Sequence, residues 1–165
     1  MTTSQNHHSQ NHQPGDVMGA QALHWIREDT PRWDEAKQRM FGPGELAAVG
    51  FGQLTPGEPM ANEWWRVSDG DGALLGYGWL DSEWGDAEVT FLVDPARRGA
   101  GIGAFIVSQL AAEAARRGLN YIYNVVPGSH PDPAWMTGWL RSHGFDDGHG
   151  DLRRRVRPAD AVPPG

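Results

Sequence analysis

Residues Glu88 to Gly103 read Glu-Val-Thr-Phe-Leu-Val-Asp-Pro-Ala-Arg-Arg-Gly-Ala-Gly-Ile-Gly. A β-rich apolar run gives way to a short linker, a glycine-rich turn and the start of a helix. Bare backbone amides at a helix N-terminus attract an anion, and glycines let that anion come close. Arg97 and Arg98 add guanidinium groups beside the turn. Other residues suited to chemistry lie nearby in the chain. Between Arg66 and Arg97 there are seven acids (Asp69, Asp71, Asp81, Glu83, Asp86, Glu88, Asp94) and no base. Such a run is usually solvated surface, but an acidic mouth also draws in a cation. Tyr121, Tyr123 and His130 follow the turn.

The elements that must hold these residues can be read from pattern and punctuation. Ala22–Glu28 is expected to be a first strand. Thr30-Pro31 looks like an N-cap and N1 pair opening a helix to about Met40. Glu45–Phe51 fits either a short helix or a strand. Glu63–Ser68, Ala73–Ser82 and Ala87–Val93 form a predicted meander, turned at Asp69-Gly-Asp-Gly and at Gly85-Asp86. Ile102, Phe105, Ile106, Leu110 and Ala114 recur at helical spacing, and Gly118 stands where a left-handed cap would end that helix. Tyr121–Val126 reads as a buried strand. A right-handed crossover makes it parallel to 87–93. Asp132 and Pro133 should open a helix to Ser142, and Leu152–Arg157 a last strand. The fold class is therefore α+β, with a mixed, mostly antiparallel sheet, a central parallel strand pair and flanking helices.

Three phosphate-binding patterns can be compared with the turn. A nucleotide P-loop needs Gly-x-x-x-x-Gly-Lys-Ser/Thr, and the only lysine is Lys37. A dinucleotide fingerprint needs Gly-x-Gly-x-x-Gly directly after a first parallel strand. Here Gly99, Gly101 and Gly103 are spaced by two, and an antiparallel meander precedes them. The third pattern is Arg-x-x-Gly-x-Gly. Residues Arg98-Gly99-Ala100-Gly101-Ile102-Gly103, with Val93-Asp94-Pro95 upstream, an amphipathic helix, a parallel strand and a helix ending in Gly144-Phe145, resemble the coenzyme-A loop of the GNAT superfamily of acyl-CoA N-acyltransferases. The likeness is strongest over 87–118, and the flanks 63–86 and 121–157 share its element order.

That resemblance implies acetyl-CoA as co-substrate, no metal, and direct acetyl transfer to a primary amine. It places the pyrophosphate on Arg98, Gly99, Ala100, Gly101, Ile102 and Gly103. The pantetheine arm would pair with the backbone at Phe91, Leu92 and Val93 like an added strand. An alkylamine with a pKa of about 10 is protonated at neutral pH, so the reaction wants a base. Glu88 fills that role by its likeness to the base-carrying strand of some members, and Asp81, Glu83 and Asp86 are further candidates. Many members carry Asn-x-x-Ala-x-x-Phe-Tyr-x-x-x-Gly-Phe, whose Tyr protonates the departing thiolate. Alignment on Gly144-Phe145 puts Pro133, Met136, Trp139 and Leu140 at the four named positions, and leucine donates no proton. Tyr123, Tyr121 or His130 could substitute, or a thiolate of pKa about 8.5 could leave unassisted. The catalytic residues expected are Glu88 and Tyr123.

Bulk properties bound the remaining classes. The net charge of −7 opposes a nucleic-acid surface. No cysteine is present, which excludes disulfides, thiolate metal sites and a Cys nucleophile. No apolar run nears the roughly 18 residues of a membrane span, and the polar N-terminus does not read as a signal peptide. The expected location is cytoplasmic and the expected acceptor a cationic small molecule such as a polyamine or amino sugar. A homodimer is compatible with these features. Residues 1–18, with Ser-Gln-Asn-His twice, are expected to be a tail in which His7, His8 and His12 could touch a metal but are better read as solvated. The acetyltransferase domain would span 20–158, with 159–165 a second tail. Trp79, Trp84, Trp135 and Trp139 are expected around the acceptor site, mostly as core. The competing readings are a degenerate domain that binds coenzyme A or a protein without catalysis, and an enzyme acting on a peptide or protein amine.

Overall fold

The structure, a computed structural model, describes residues 22–42 and 45–161. The expectations for residues 1–18, including the three histidines, and for residues 162–165 lie outside the described residues. Seven strands form one sheet in the order β1-β2-β3-β4-β5-β7-β6. They are β1 (His24–Arg27), β2 (Glu63–Ser68), β3 (Leu74–Glu83), β4 (Asp86–Val93), β5 (Tyr121–Asn124), β6 (Asp146–Asp147) and β7 (Leu152–Arg155). Among the described residues only β4 and β5 pair in parallel. The α+β class with its one parallel pair stands as expected. β6, two residues long, carries no pattern from which it could have been read.

The meander follows its turn chemistry. Asp69 accepts hydrogen bonds through Oδ1 from the Asp71 and Ala73 amides, both at 2.9 Å, closing the β2–β3 turn. The β3–β4 turn is Trp84-Gly85, one residue earlier than expected, with φ of 55° and 86°. Two successive positive φ values match the twist of an antiparallel hairpin.

The α-helices of the described residues are α1 (Glu35–Met40), α2 (Glu45–Ala48), α3 (Ile102–Arg116) and α4 (Pro133–Ser142). The expected N-cap at Thr30 is corrected to Asp34, whose side chain accepts from the Lys37 amide. Residues 31–33 are drawn instead into backbone pairing with 57–60, through an Arg32–Pro59 bridge and a Trp33 N–H to Glu58 carbonyl bond of 2.8 Å. Glu45–Ala48 resolves as a single helical turn. Asp132 caps α4 by accepting from the Trp135 amide, as its sequence position suggested. Residues 158–161, at the start of the expected C-terminal tail, form a 3-10 turn tied to Arg154 through Asp160.

Two apolar cores lie on opposite faces of the sheet. On one face α3 buries Ile102, Ile106, Val107, Leu110, Ala111 and Ala114 against β2–β5. On the other, Trp33, Met40, Phe41, Trp64, Tyr77, Trp79 and Leu92 bring α1 onto β2–β4. That second core surrounds Lys37, which is fully buried. Its ammonium reaches both Glu28 oxygens (3.0 and 2.9 Å), the Arg32 carbonyl (2.9 Å) and Asp34 (3.2 Å). All three ammonium protons therefore have acceptors, which is the condition for burying such a charge.

Candidate active site

β4 pairs with β3 along its whole length, but with β5 only at Asp86, Ala87 and Glu88. Beyond Tyr123 the two parallel strands part. Asn124 Nδ2 donates to the Val89 carbonyl at 2.8 Å, replacing the next ladder bond with a side chain. Among the described residues no strand covers that edge of β4 from residue 90 to 93. Phe91 and Val93 thus offer backbone groups on the open side, where an extended arm could add as a strand, while Leu92, in step with the Asp94 amide that bonds the Leu75 carbonyl, turns its groups to β3.

Two cavities meet at this opening. The first, about 440 Å³, lies over β3 and β4 beneath the α1–α2 segment. Its wall includes Phe41, Phe51 and Trp79, and its carboxylates are Asp81, Glu88 and Glu45. The second, about 650 Å³, runs from the β4 edge to the glycine turn and along α4. Both are lined by Glu45, Phe91, Leu92, His130 and Met136.

The second cavity has an anion-binding end. Gly101, at φ 78°, is the N-cap of α3 and has no side-chain cap, and Gly99 is also left-handed at φ 86°. The Phe105 amide is the first to bond back to Gly101. The amides at 102–104 are the unpaired donors of a helix start, at its positive dipole end. Gly103 has a different task. A Cβ there would come within 3.2 Å of Trp139 Cζ2 and 3.5 Å of Phe91 Cε2, so this glycine seats α3 against α4. Of the nine residues expected to hold coenzyme A, eight line this cavity: Phe91, Leu92, Val93, Arg98, Gly99, Gly101, Ile102 and Gly103. Ala100 does not. Arg98 pairs with Glu45 at 3.4 Å, a contact between residues 53 apart that no local pattern announces.

On the acceptor side Asp81 and Glu88 are register partners across β3 and β4. Burial raises the Glu88 pKa above the usual carboxylate range, and the neighbouring Asp81 charge raises it further. A carboxylate so shifted is a stronger base. Glu83 and Asp86, also candidates for the base, line neither cavity. Tyr123 faces Glu88 across the parallel register but also lines neither. Burial, then the Glu88, Glu83, Asp81 and Asp151 charges, push its phenol pKa up and keep it protonated. His130, in contrast, borders both cavities. Its Nδ1 accepts the Asp132 amide hydrogen at 2.9 Å. A backbone amide can only donate, so the neutral ring carries its proton on Nε2.

The tryptophans divide. Trp79 lines the first cavity, whereas Trp135 and Trp139 line the second, with His143 stacked on Trp139 at 3.8 Å. Trp84 is 93% exposed at the hairpin tip and borders neither cavity. Leu140, at the position of the usual tyrosine, is fully buried.

The Acetyltransferase (GNAT) family model matches residues 20–132, more than half of the chain. The chain belongs to this family. Three solved structures share its fold. A GNAT-family protein from Desulfovibrio desulfuricans is 14% identical, covers 82% of this chain and 100% of its own, and superposes with a TM-score of 0.60. A GCN5-related N-acetyltransferase from Kribbella flavida is 17% identical over 82% of this chain and 98% of its own, at 0.52. The ribosomal-protein-S18-alanine N-acetyltransferase of Escherichia coli is 12% identical over 82% and 94%, at 0.53. No curated protein matches. In this GNAT acetyltransferase the two cavities of the candidate site meet where β4 and β5 part.

Proposed function

We propose that this acetyltransferase moves an acetyl group from acetyl-CoA directly to the primary amine of a cationic small molecule. The observation that carries this reading is the meeting of two cavities at the β4–β5 opening. One has an anion-binding helix start, and the other has paired carboxylates.

In this reading the pyrophosphate rests on the amides at 102–104 with Arg98, and the pantetheine arm follows the free edge at 91–93. The thioester then lies where the cavities join. Glu88 accepts a proton from the ammonium, directly or through water. The neutral nitrogen forms a C–N bond to the acetyl carbon, the C–S bond breaks with its electron pair leaving on sulfur, and the second proton of the nitrogen passes through solvent to the thiolate, giving the free thiol. Glu88 returns its proton to solvent. We assign the hydrogen bond to the departing thiolate to His130 Nε2–H, because His130 borders the junction and Tyr123 does not. The histidine keeps its proton and stabilises developing charge.

Release of free thiol from acetyl-CoA, followed across a panel of amines, tests the activity. Calorimetry with coenzyme A tests binding separately. Buried Leu140 in place of a proton donor favours one other reading, a domain that binds coenzyme A without catalysis. Tight binding with no turnover on any amine would establish that second reading.

A further inference from the structure

The acceptor cavity combines a pair of carboxylates with an aromatic wall. Asp81 and Glu88 stand opposite each other on β3 and β4 and together make one place for an ammonium head. The third carboxylate, Glu45, is engaged elsewhere. It accepts from the Gly42 amide at 2.8 Å and pairs with Arg98 at 3.4 Å.

Asn62, Thr90, Asn124 and His130 add polar groups to the lining, and Phe41, Val49, Phe51 and Trp79 form an apolar wall. This wall is preassembled. Trp79 stacks on Trp64 with centroids 4.2 Å apart and planes 12° from parallel. Phe51 and Phe41 tilt against Trp79 at 5.9 and 6.1 Å, and they meet each other edge to face at 5.9 Å. Rings engaged with one another in this way present a hydrophobic surface rather than a cage of open faces for a second cation. Among the described residues no Lys or Arg lines the cavity.

From this polarity we propose that the acceptor is a monocationic arylalkylamine. Its amine sits on a short linker at Asp81 and Glu88, and its aromatic body lies against Phe41, Phe51 and Trp79. The proposal rests on the acetyltransferase reading and selects the substrate class. A polyamine would place its second ammonium on the apolar wall without a counter-ion. An amino sugar would set its hydroxyls, rather than an apolar body, against the aromatic rings. An α-amino acid would bring a carboxylate to a cavity whose acidic groups repel it. At about 440 Å³, the cavity falls in the size range of small-molecule sites.

The test uses the full chain and measures thiol release from acetyl-CoA with 2-phenylethylamine, tryptamine, spermidine, glucosamine and L-phenylalanine. The two arylalkylamines are expected to show kcat/KM at least tenfold above the others. Equal or better use of spermidine, glucosamine or L-phenylalanine would overturn the substrate class while leaving the acetyltransferase reading intact. No thiol release with any amine would overturn both. Val49→Asp supplies a carboxylate to the apolar wall. It is expected to raise kcat/KM for spermidine and lower it for 2-phenylethylamine, with KM for acetyl-CoA unchanged. An unaltered preference in a variant that melts like the parent would also overturn the proposal.

Discussion

Asn124 holds the Val89 carbonyl through its side-chain amide at 2.8 Å, at the point where β4 and β5 stop pairing. Asn124 is itself buried. One more main-chain ladder bond would carry β5 along β4 and close the opening. A side-chain donor satisfies the carbonyl and lets the strands part. Asn124→Leu leaves a buried acceptor unpaired and should cost about 1–3 kcal/mol. Urea unfolding measures that loss, and an unchanged midpoint would remove the proposed role. The variant should also raise KM for acetyl-CoA, because the free edge of β4 is no longer held open.

Glu88→Gln should lower kcat by about 10²–10⁴-fold, the usual range for removing a general base. In the parent, activity should fall with decreasing pH at a point above the ordinary carboxylate range, because burial and Asp81 raise the Glu88 pKa. A pH–rate profile checks this. Stability should change in the opposite direction. A carboxyl whose pKa is raised on folding carries no penalty below its unfolded pKa; the penalty grows as pH rises from the unfolded to the folded pKa and is complete above it. Thermal melts should therefore show Glu88→Gln more stable than the parent at neutral pH and equal to it at a pH below the ordinary carboxylate range.

His130→Ala should reduce kcat by about 10-fold or more through loss of a donor to the leaving sulfur, with KM for the amine little changed. Tyr123→Phe should alter kcat less, because Tyr123 borders neither cavity. Steady-state kinetics on the pair discriminate between them. A larger loss in Tyr123→Phe would return the role to the phenol.

Gly101→Glu should abolish coenzyme A binding by calorimetry while circular dichroism remains that of the parent. The position has φ 78°, and no neighbouring atom lies within 4 Å of the point a Cβ would occupy. The fold therefore has room for the side chain, at a cost of about 1–2 kcal/mol in backbone strain. The new carboxylate would stand at the helix start that the pyrophosphate needs. Unchanged affinity would displace the pyrophosphate from this turn.

Lys37→Met should destabilise the protein by about 3–5 kcal/mol, because Glu28 is left partly buried without its cation. Chemical denaturation measures the loss. Glu28→Gln in the Lys37→Met background should recover part of it, and a purely additive further loss would contradict the ion-pair explanation.

Much of the scaffold was legible because its signals are local. The Asp69–Gly72 turn, the α3 spacing from Ile102, Gly118 in the left-handed region and the Asp132-Pro133 helix start all act within a few residues of themselves. The same holds for the glycine turn, where Gly99 and Gly101 adopt positive φ. The false start at Thr30 shows the limit. Its local cap chemistry was sound, but pairing with residues 57–60 claimed the backbone that a helix would have used.

From its sequence alone, then, this protein carried the α+β order, the glycine turn and the acid-rich meander, since each depends on neighbours along the chain. The tertiary structure decided what those parts face. Sheet register set Asp81 opposite Glu88, and chain folding brought Glu45 to Arg98 and His130 to the junction. It also placed Trp135 and Trp139 along the second cavity and built an aromatic wall from residues as far apart as Phe41 and Trp79. Contacts over such distances form because apolar surface is buried collectively, and no short stretch encodes that sum.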